Sequence, residues 1–574
     1  MAIKYDNEAI VIGSGFGGSI NTCRLSKKWP GKVMLLERGK RYPMHSFPRK
    51  PHDFARNFWN LPTEVRKRPE TMSKDEMHGM FDIRAHGHMD AVMCAGLGGG
   101  SLIYANVFME PPNEVFEEGW PDSCTKDTLK PYFEIAKSVL GARPIPQNDE
   151  PRRRILRTEL FQEVAKQEGY DSNLVDINVF FGNDFEKPTE IGVQEKNRFG
   201  AVQTSCVYCA ECDVGCNTHS KNTLDLNYLF VAENEHRAEI LTEHMAEKIV
   251  PVNASGDDAP DEDGSHGYRL YYRDLQNHSE TSRLTRRVIV AAGTMGTNEM
   301  LLRCRDVHKT LPSINHNLGK RFSGNGDFLS FVVEGEKDAD PNYGPVITQA
   351  TDHNLFKNFD RDRAFLVEDA GYPTFLAYYI EGIRPGISHL SAMMKTFHDI
   401  YRRWFKGSGN GRVGYALRDL MSKDMSYKAS TLLCMGIDRA NGTMKLDDQG
   451  YVNLDWPYKD SMSLYEAILE AGKRFKERVG AKIFLPIPNW LWPMRRNVTV
   501  HSLGGCILAD DPAQGVTSAD PETMGQVFGY KGLYVADGAL LPTAVGANPI
   551  ATISAVAERV AEGITGVKPD DTLI

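Results

Sequence analysis

The sequence predicts an α/β fold in which a discontinuous, Rossmann-like dinucleotide-binding domain carries an inserted α+β substrate domain built on an antiparallel sheet. Three observations predict it. A glycine-rich turn joins an apolar strand to a helix near the N-terminus, and another apolar strand ends in glycine at 284–293. Alternating residues at 443–446 and 451–456, bracketed by turn residues, indicate an antiparallel hairpin. A chain of 574 residues is long enough for two domains.

The first predicted element is a βαβ unit. Residues 8–13 read as a short buried strand, residues 18–28 as a helix, and residues 32–37 as a second strand. A strand, a glycine-rich turn, a helix and a second strand in this order are typical of the start of a dinucleotide-binding domain.

Gly13, Gly15 and Gly18 have the spacing of a dinucleotide-binding turn. Such glycines allow a tight turn, a close approach to a pyrophosphate and close packing of the helix, whose N-terminal N–H groups face the phosphates. Glu37 ends the second strand and would accept hydrogen bonds from the ribose hydroxyls of the adenosine. The alternative is an ordinary glycine-rich turn.

A second glycine-rich loop lies at 95–101 and is suited to another close approach between backbone and ligand. The alternative for this loop is a flexible turn. Residues 288–293 form a third strand of the nucleotide-binding type. A long cofactor held along its whole length explains three separated elements better than NAD does, so the pattern favours FAD.

The remaining segments complete the predicted organisation. A helix is expected at 126–140, whereas 45–80 is expected to be irregular because it is rich in proline, aromatic and charged residues. The ligand pocket would lie where the two domains meet. The predicted FAD domain combines 1–45, 200–325 and 495–574, and the predicted substrate domain combines 46–199 and 326–494.

The composition argues against some partners. A net charge of −9 is unsuited to nucleic acid, which needs a basic surface. The sequence has no apolar stretch of about 18 residues and no signal-peptide core, so a cytoplasmic protein is expected. Residues 390–405 predict an amphipathic helix with a basic, aromatic end, which can make a peripheral contact with a membrane. The alternative is a helix that packs on the substrate domain.

Four of the ten cysteines lie close together, as Cys206-x2-Cys209-x2-Cys212-x3-Cys216. This is the spacing of a bacterial ferredoxin run, although Asn217 replaces the proline that usually follows the fourth cysteine. Three interpretations stay open: a [4Fe–4S] cluster, a zinc ion held by thiolates, and thiols without metal in a structural loop. A cluster would give electrons an exit and favour a dehydrogenase over an oxidase that reduces O2.

The ordered set of motifs resembles the glucose–methanol–choline (GMC) oxidoreductase family, and within it the cholesterol-oxidase-like branch. The resemblance spans nearly the whole chain, and the set is highly specific although each block alone is not. Besides the first glycine-rich turn and Glu37, the matching blocks are Gly98–Ser101, Asn217–Asp225, Ala292–Gly296, Gly324–Gly326, His501–Cys506, Tyr534–Gly538 and Asn548-Pro549.

The resemblance implies bound FAD and oxidation of an alcohol by hydride transfer to flavin N5, with O2 or another acceptor receiving the electrons. The implied substrate is a bulky hydrophobic alcohol, above all a 3β-hydroxysteroid. By position, His501 looks like the family's active-site histidine, which accepts the hydroxyl proton or orients the substrate. Asn548 looks like its second residue at the flavin, and Asp537 like a ligand of the ribityl chain. The alternatives are a core histidine for His501 and a turn residue for Asn548.

The candidate cofactor-binding residues are taken from these motifs and the glycine-rich loops. They are Gly13, Gly15, Gly18, Glu37, Gly98, Gly99, Gly100, Ser101, Asn106, Gly293 and Asp537.

Glu368 is a third candidate catalytic residue. The apolar run 365–369 resembles the segment in which cholesterol oxidases carry a carboxylate that moves a proton during Δ5-to-Δ4 isomerisation. In an apolar pocket this carboxyl would have a raised pKa and would act as a base. The alternative is a surface acid that follows a strand. Two rival functions also stay open: an FAD/[4Fe–4S] dehydrogenase for another hydrophobic alcohol, and a non-catalytic electron-transfer or redox-sensing flavoprotein.

Overall fold

A computed structural model describes residues 3–59, 79–146, 151–377, 387–407, 424–487, 490 and 494–574. Its helices are α1 (Phe16–Lys28), α2 (Pro51–Ala55), α3 (Lys126–Leu140), α4 (Leu156–Glu168), α5 (Tyr228–Asn234), α6 (Gly293–Leu302), α7 (Ile387–Lys406), α8 (Asp424–Tyr427), α9 (Met462–Arg478) and α10 (Ile550–Thr565).

The strands are β1 (Ala9–Ile12), β2 (Val33–Glu37), β3 (Phe81–Ala85), β4 (Met89–Cys94), β5 (Ser172–Leu174), β6 (Gln194–Lys196), β7 (Val202–Thr204), β8 (Glu239–Thr242), β9 (His244–Pro251), β10 (Tyr268–Asp274), β11 (Ser279–Thr285), β12 (Val288–Val290), β13 (Lys320–Ser323), β14 (Phe328–Val333), β15 (Ile347–His353), β16 (Phe365–Ala370), β17 (Ser430–Gly436), β18 (Gly442–Leu446), β19 (Val452–Asp455), β20 (Ile483–Pro486), β21 (Asn497–Thr499), β22 (Leu503–Gly505), β23 (Leu508–Ala509), β24 (Thr517–Ser518) and β25 (Leu533–Val535).

A five-stranded parallel sheet forms the nucleotide-binding layer, in the order β25–β12–β1–β2–β8. Ile10 of β1 lies opposite Val288 on one side and Met34 on the other, and all three side chains are buried. Strands covered on both faces need apolar residues at every position, which explains the continuous apolar runs. The predicted βαβ unit is confirmed, although α1 begins at Phe16, two residues earlier than expected, because Gly15 is its extended N-cap.

Two helices close one side of this layer. α1 packs against the C-terminal helix α10, and the guanidinium of Arg24 forms a buried ion pair with Glu558, with Nε and Oε2 2.7 Å apart. Both side chains are almost fully excluded from solvent. The pair therefore joins the beginning and the end of the chain, as a discontinuous domain requires.

The prediction of one strand over 284–293 is wrong in its extent. Residues 279–285 form β11, which pairs with β10 in an antiparallel three-stranded sheet. The chain then changes sheet at Arg286, which is exposed, and continues as β12 of the parallel layer. The exposed Arg286 lies between the polar strand β11 and the fully buried apolar strand β12 and marks this change of sheet.

The second layer is a six-stranded sheet in the order β20–β14–β17–β16–β15–β5, in which every pairing is antiparallel. α9 and α4 pack against it. The predicted hairpin is confirmed as β18–β19, and it extends β13 and β22 into a four-stranded sheet. The parallel layer and this antiparallel layer confirm the predicted fold class.

Three further predictions concern single segments. The helix expected at 126–140 is confirmed as α3, which packs against α10 and begins with a capping box formed by Thr125 and Thr128. The amphipathic helix is confirmed as α7. Within 45–80, residues 60–78 lie outside the described part of the chain, and α2 occupies 51–55. The exact domain boundaries stay a prediction.

None of the described helices is both long and apolar enough to cross a membrane.

Candidate active site

A cavity of about 1000 Å³ lies between the two layers. One wall is formed at the carboxyl ends of β1, β2, β12 and β25, where doubly wound sheets bind ligands. The opposite wall is apolar and includes Leu329, Phe331 and Leu433 of the antiparallel sheet. Ten of the predicted residues line this cavity: Gly13, Gly15, Glu37, Gly99, Gly100, Asn106, Gly293, His501, Asp537 and Asn548.

The remaining predicted residues do not line this cavity. Gly18 packs α1 against the turn, since a Cβ atom there would lie 1.9 Å from the carbonyl oxygen of Gly13. Ser101 donates a hydrogen bond to the carbonyl of Gly98 over 2.7 Å and so stabilises the second glycine-rich loop. Glu368 and the four clustered cysteines also lie outside the lining.

The glycines of the first turn have two different tasks. A Cβ atom on Gly17 would lie 1.5 Å from the carbonyl oxygen of Ala536, so this residue must be glycine for α1 to dock. A Cβ atom on Gly15 would meet no atom within 4 Å, because Gly15 faces the cavity. The sequence pattern identified Gly15 but missed Gly17, which has a packing role instead.

Glu37 is buried at the end of β2 and bordered by the first turn. Its carboxylate accepts hydrogen bonds from Ser14 Oγ at 2.5 Å and from the backbone N–H of Gly39 at 2.8 Å. Burial raises the pKa of Glu37, and the hydrogen bonds from Ser14 and Gly39 offset part of the increase. A carboxylate oxygen accepts more than one hydrogen bond, so Glu37 keeps capacity for ribose hydroxyls.

Asn106 provides a test of whether the cavity suits a polar cofactor. It is fully buried and adopts a left-handed backbone conformation with φ of 75°, and neither its amide nitrogen nor its amide oxygen has a protein partner. Buried polar atoms are rarely left without hydrogen bonds, so this amide indicates a ligand in the cavity. With the glycine turn and Glu37, the residues fit a dinucleotide.

Asp537 follows β25 at the other end of the same wall. Its carboxylate accepts from Thr297 Oγ1 at 2.5 Å and from the N–H of Ala539 at 2.9 Å. Burial raises the pKa of Asp537 to about 6, and these hydrogen bonds oppose the increase. Asp537 therefore holds the turn that precedes the 3-10 helix Gly538–Leu540, and the residue borders the cavity.

His501 is held by a carboxylate that the sequence reasoning missed. Its Nδ1 lies 2.7 Å from Oδ1 of Asp327, and Oδ2 of Asp327 accepts from the N–H groups of Val500 and His501 and from Thr499 Oγ1. A carboxylate can only accept, so Nδ1 is the protonated nitrogen and Nε2 is free to take a proton. Asp327 directly follows the motif 324–326, and its place beside this motif is the sequence feature that could have identified it.

Asn548 and Glu368 lie next to each other on the substrate side. The Asn548 side chain is buried at the cavity, and its Oδ1 has no protein partner. Glu368 is 0% exposed on β16, opposite Leu433, which lines the cavity. Burial raises the pKa of Glu368 well above its ordinary value, and the neighbouring amide of Asn548 counteracts only part of the increase. The alternative of a surface acid is therefore wrong.

A second buried acid supports the loop that carries Asp327. Asp438 accepts from Ser323 Oγ at 2.5 Å and from the N–H of Gly324 at 2.9 Å. Asn325 accepts from the N–H groups of Val545 and Gly546 and donates to the carbonyl of Ala547. The segment with Asp327 and the segment with Asn548 are thus hydrogen-bonded to each other, which fixes the two halves of the site.

The four clustered cysteines form a separate site. Cys206, Cys212 and Cys216 are buried and Cys209 is half-buried, and all four line a small cavity with Lys221. They are free thiols. Among the described residues, no three His, Cys, Asp or Glu side chains are placed to hold a single metal ion. This finding supports neither the zinc nor the [4Fe–4S] interpretation.

Buried charges surround these thiols. Burial lowers the pKa of Lys221 to about 8, although the thiols of Cys212 and Cys216 oppose the decrease. Burial also raises the pKa of Asp213 to about 7, and its Oδ1 has no hydrogen-bond partner. Asp213 lines the large cavity, so the cysteine site and the large cavity share a wall.

Comparison with known proteins identifies the family. Models of the GMC oxidoreductase family match residues 7–322 and 438–557. A cholesterol oxidase of Acinetobacter baumannii is 29% identical over 97% of this chain and 94% of its own length. A cholesterol oxidase of Mycobacterium tuberculosis is 27% identical over 97% of this chain and 91% of its own. A long-chain-alcohol oxidase of Arabidopsis thaliana is 21% identical, covering 99% of this chain and 68% of that protein.

Solved structures agree on the fold. Pyridoxine 4-oxidase from Mesorbium loti superposes with a TM-score of 0.57 at 14% identity, covering 97% of this chain and 98% of that one. A fungal aryl-alcohol oxidase gives a TM-score of 0.58 at 12% identity, covering 98% and 99%. The chain therefore belongs to the GMC oxidoreductase family, whose members are FAD-dependent enzymes that act on the CH–OH groups of alcohols.

Proposed function

We propose that this GMC oxidoreductase oxidises a bulky hydrophobic secondary alcohol, a 3β-hydroxysteroid, to the ketone. The observation that carries the proposal is that one cavity joins the His501–Asp327 pair and Asn548 to an apolar wall of the antiparallel sheet. A rigid apolar substrate fits that wall while its reacting hydroxyl reaches the polar end. Similarity to cholesterol oxidases over nearly the full length of the chain supports this substrate class.

When bound, FAD supplies the hydride acceptor of the reaction. The residues proposed to hold it are those of the cavity wall described above, in particular Gly15, Glu37, Asn106 and Asp537. The unpaired amide of Asn106 and the open space in front of Gly15 suit polar groups of the cofactor.

His501 is the proposed base for the oxidation. Nδ1 donates to Asp327, so Nε2 accepts the hydroxyl proton as the hydride leaves the carbinol carbon. The amide of Asn548 hydrogen-bonds the substrate oxygen and orients it. Removing the proton and orienting the C–H bond are the two tasks that the protein must perform, because the cofactor provides the oxidising power.

Glu368 is proposed to perform a second reaction, the Δ5-to-Δ4 isomerisation. A buried carboxyl with a raised pKa can take a proton from one carbon of the steroid and return it to another. Its position beside Asn548, on the face of the sheet that Leu433 presents to the cavity, supports this role. The product would then be the conjugated enone instead of the unconjugated ketone.

The test of the oxidation is an anaerobic stopped-flow measurement of flavin absorbance after mixing with a 3β-hydroxysteroid. The wild-type flavin should bleach, and His501→Asn should keep the FAD spectrum but bleach roughly 10²- to 10⁴-fold more slowly, because its base is lost. His316→Asn replaces an exposed histidine and should behave like the wild type. Bleaching by a long-chain primary alcohol but not by the steroid would contradict the steroid assignment.

A second candidate is an FAD/[4Fe–4S] dehydrogenase that acts on the same class of alcohol. The observation that favours it is that four thiols line one cavity beside the flavin cavity. The two candidates differ in the electron acceptor. Reoxidation of the bleached flavin by air within one turnover time supports an oxidase, whereas slow reoxidation by air with fast reoxidation by a one-electron acceptor supports the dehydrogenase.

Helix α7 supports a peripheral membrane contact, where a sterol would be collected. Met394, Phe397, Tyr401 and Trp404 recur at helical spacing and are all more than half exposed, with Trp404 79% exposed. Basic residues share the exposed C-terminal turns at 402–406. An apolar stripe beside basic side chains fits the surface of an anionic bilayer.

The membrane contact is tested by sedimentation with vesicles that contain phosphatidylserine. The wild-type protein should sediment, whereas the double variant Trp404→Ala, Phe405→Ala should remain in solution with unchanged FAD content. Phe185→Ala removes an exposed aromatic side chain outside α7 and serves as the matched control. A wild-type protein that does not bind such vesicles would contradict the contact.

A further inference from the structure

We propose that Asp213 binds a second hydroxyl group of the substrate, at the end of the cavity away from His501, so that the preferred substrate is a hydrophobic diol. Asp213 lines the large cavity, as His501 does. The inference rests on the proposed function, because the first hydroxyl is the one that is oxidised beside His501. It adds a second point at which the protein recognises that substrate.

The register of the antiparallel sheet shows how far the cavity wall extends. Leu433 of β17 lies opposite Glu368 of β16, and the carboxyl of Glu368 neighbours Asn548. Thr431 lies opposite Ala370, two residues farther along the same strands, and both line the cavity. Two residues of an extended strand span about 7 Å. The wall therefore continues well beyond the end at which the alcohol is oxidised.

Asp213 lies beside the end of β16, past this pair of residues. Gly371 follows Ala370 and donates its backbone N–H to the carbonyl of Val346 over 2.7 Å. A backbone hydrogen bond links Val346 to Cys212, the residue before Asp213. Gly371, Val346 and Asp213 all line the cavity. These contacts place Asp213 at the end of the wall that is far from the oxidising groups.

The carboxyl group of Asp213 is short of hydrogen-bond donors. Its Oδ1 is buried and has no hydrogen-bond partner. Lys221 and Arg157 are near enough to affect the pKa of Asp213, but their N–H groups are used elsewhere. Lys221 donates to three backbone carbonyls, and Arg157 donates to Asp369 and to two carbonyls. Because buried polar atoms rarely lack partners, Asp213 has capacity to accept from a ligand.

The accessible surface of Asp213 faces the cavity. The residue is half-buried, although desolvation raises the pKa of its carboxyl to about 7. A carboxyl that the surrounding protein desolvates, and that still keeps accessible surface, borders an internal space. Asp213 lines the large cavity, so a ligand bound there can reach it.

The charges around Asp213 favour a neutral donor. Lys221 and Arg157 both lower the pKa of Asp213, so two positive charges already act on this carboxyl. A substrate ammonium would be repelled by both of them. A hydroxyl group donates a hydrogen bond without adding a charge. It also suits a substrate that must otherwise lie against the apolar wall.

Thr431 is a second polar side chain in this part of the wall. It is 5% exposed, and its hydroxyl has no protein partner. Its neighbours across the sheet, Phe331 and Ala370, are apolar and also line the cavity. An unpaired hydroxyl in an apolar row is a further indication that this part of the cavity receives a polar group.

The test compares two steroids that differ in one hydroxyl at the far ring, androst-5-ene-3β,17β-diol and androst-5-en-3β-ol. Anaerobic reduction of the flavin in the full-length holoenzyme gives a second-order rate constant for each steroid. We expect the constant for the diol to be roughly 10- to 100-fold larger, because the mono-alcohol leaves Asp213 without a donor.

Two variants and a control assign this preference to the far end of the cavity. Asp213→Leu should bring the ratio of the two rate constants to about one while FAD absorbance is retained. Thr431→Val keeps the branched shape and should lower the ratio a few-fold. Thr204→Val is the matched control and should keep the wild-type ratio, because Thr204 is also buried with an unpaired hydroxyl but lies on β7, outside the cavity lining.

The outcomes separate this inference from the proposed function. Equal rate constants for the two steroids with the wild-type protein, or an unchanged ratio in Asp213→Leu, would overturn the role of Asp213 and leave steroid oxidation intact. A flavin that neither steroid reduces would overturn the proposed function, and this inference with it. If Asp213→Leu does not fold, the ratios of the wild type and of Thr431→Val decide.

Discussion

Two carboxylates in this site have opposite surroundings. Asp327 and Glu368 are 2% and 0% exposed, so burial alone does not distinguish them. Asp327 accepts four hydrogen bonds from the segment 499–501. Neither oxygen of Glu368 has a hydrogen-bond partner, and the amide of Asn548 and the carboxylates of Asp369 and Asp327 are near enough to affect its pKa. Asp327 is therefore surrounded by hydrogen-bond donors, whereas Glu368 is buried without a hydrogen-bond partner.

The difference shows how one functional group serves two purposes. The hydrogen bonds that Asp327 accepts fix its carboxylate in place, which suits a group proposed to hold an imidazole in one orientation. Burial without such bonds disfavours the charged form, which suits a group that must bind and release a proton. Position in the fold, and not residue type, distinguishes the surroundings of the two carboxyl groups.

The largest expected effect is on the rate of isomerisation, and it tests whether Glu368 transfers the proton. Glu368→Gln keeps the shape of the side chain but removes the proton-transferring group. Formation of the conjugated enone should fall roughly 10²- to 10⁴-fold, while flavin reduction changes only a few-fold. Separate assays of flavin bleaching and enone absorbance measure the two steps. Enone formation at the wild-type rate would show that another group moves the proton.

The next effect concerns Asp327. Asp327→Asn can present an N–H instead of an acceptor to Nδ1 of His501, so the imidazole loses its preferred tautomer. We expect kcat/KM for oxidation to fall roughly 10- to 100-fold, by analogy with the loss of a carboxylate that orients a metal-bound histidine. A changed pH profile of kcat/KM distinguishes this cause from a general loss of structure. Wild-type kcat/KM would refute a positioning role.

A third effect is on stability against pH. The folded-state pKa of Glu368 lies above the ordinary 4.5, so in the interval above pH 4.5 the folded protein binds a proton that the unfolded chain releases. The contribution of Glu368 to the free energy of unfolding therefore decreases as pH rises, by about 1.4 kcal/mol per pH unit at most. Glu368→Gln should become more stable relative to the wild type between about pH 5 and pH 7. If the difference in unfolding free energy between Glu368→Gln and the wild type stayed constant across this pH interval, Glu368 would not be an unpaired buried acid.

The smallest effect comes from a single donor to Asp327. Thr499→Val keeps the branched shape but removes the hydroxyl that donates to Asp327 and to the carbonyl of Gly324 and accepts from the N–H of His501. Each hydrogen bond lost changes the free energy of the site by about 1 kcal/mol. We expect a few-fold decrease in kcat/KM with unchanged FAD content. An effect as large as that of Asp327→Asn would mean that Thr499, and not the carboxylate, holds the histidine.

Sequence patterns were sufficient for the elements whose causes are local. The strands around the glycine turn, the helix at 126–140 and the hairpin were confirmed because apolar periodicity and turn residues act over a few positions. Ten of the fourteen residues that the motifs assigned to catalysis or to the cofactor line the cavity. The extent of the strand at 284–293 was wrong, because the choice between two sheets depends on partners far away in the chain.

The pairing of His501 with Asp327 and the isolation of Glu368 depend on tertiary structure. Asp327 and His501 are 174 positions apart and meet because the loop after β13 packs beside the segment that follows β21. Glu368 is buried on β16, an inner strand between β15 and β17, and it shares a sheet face with Leu433 at the cavity. The nucleotide-binding turn could be predicted from neighbouring residues, whereas these contacts arise between distant segments that no local pattern specifies. Hydrogen bonding and desolvation in the folded chain decide how the surroundings of these two acids differ.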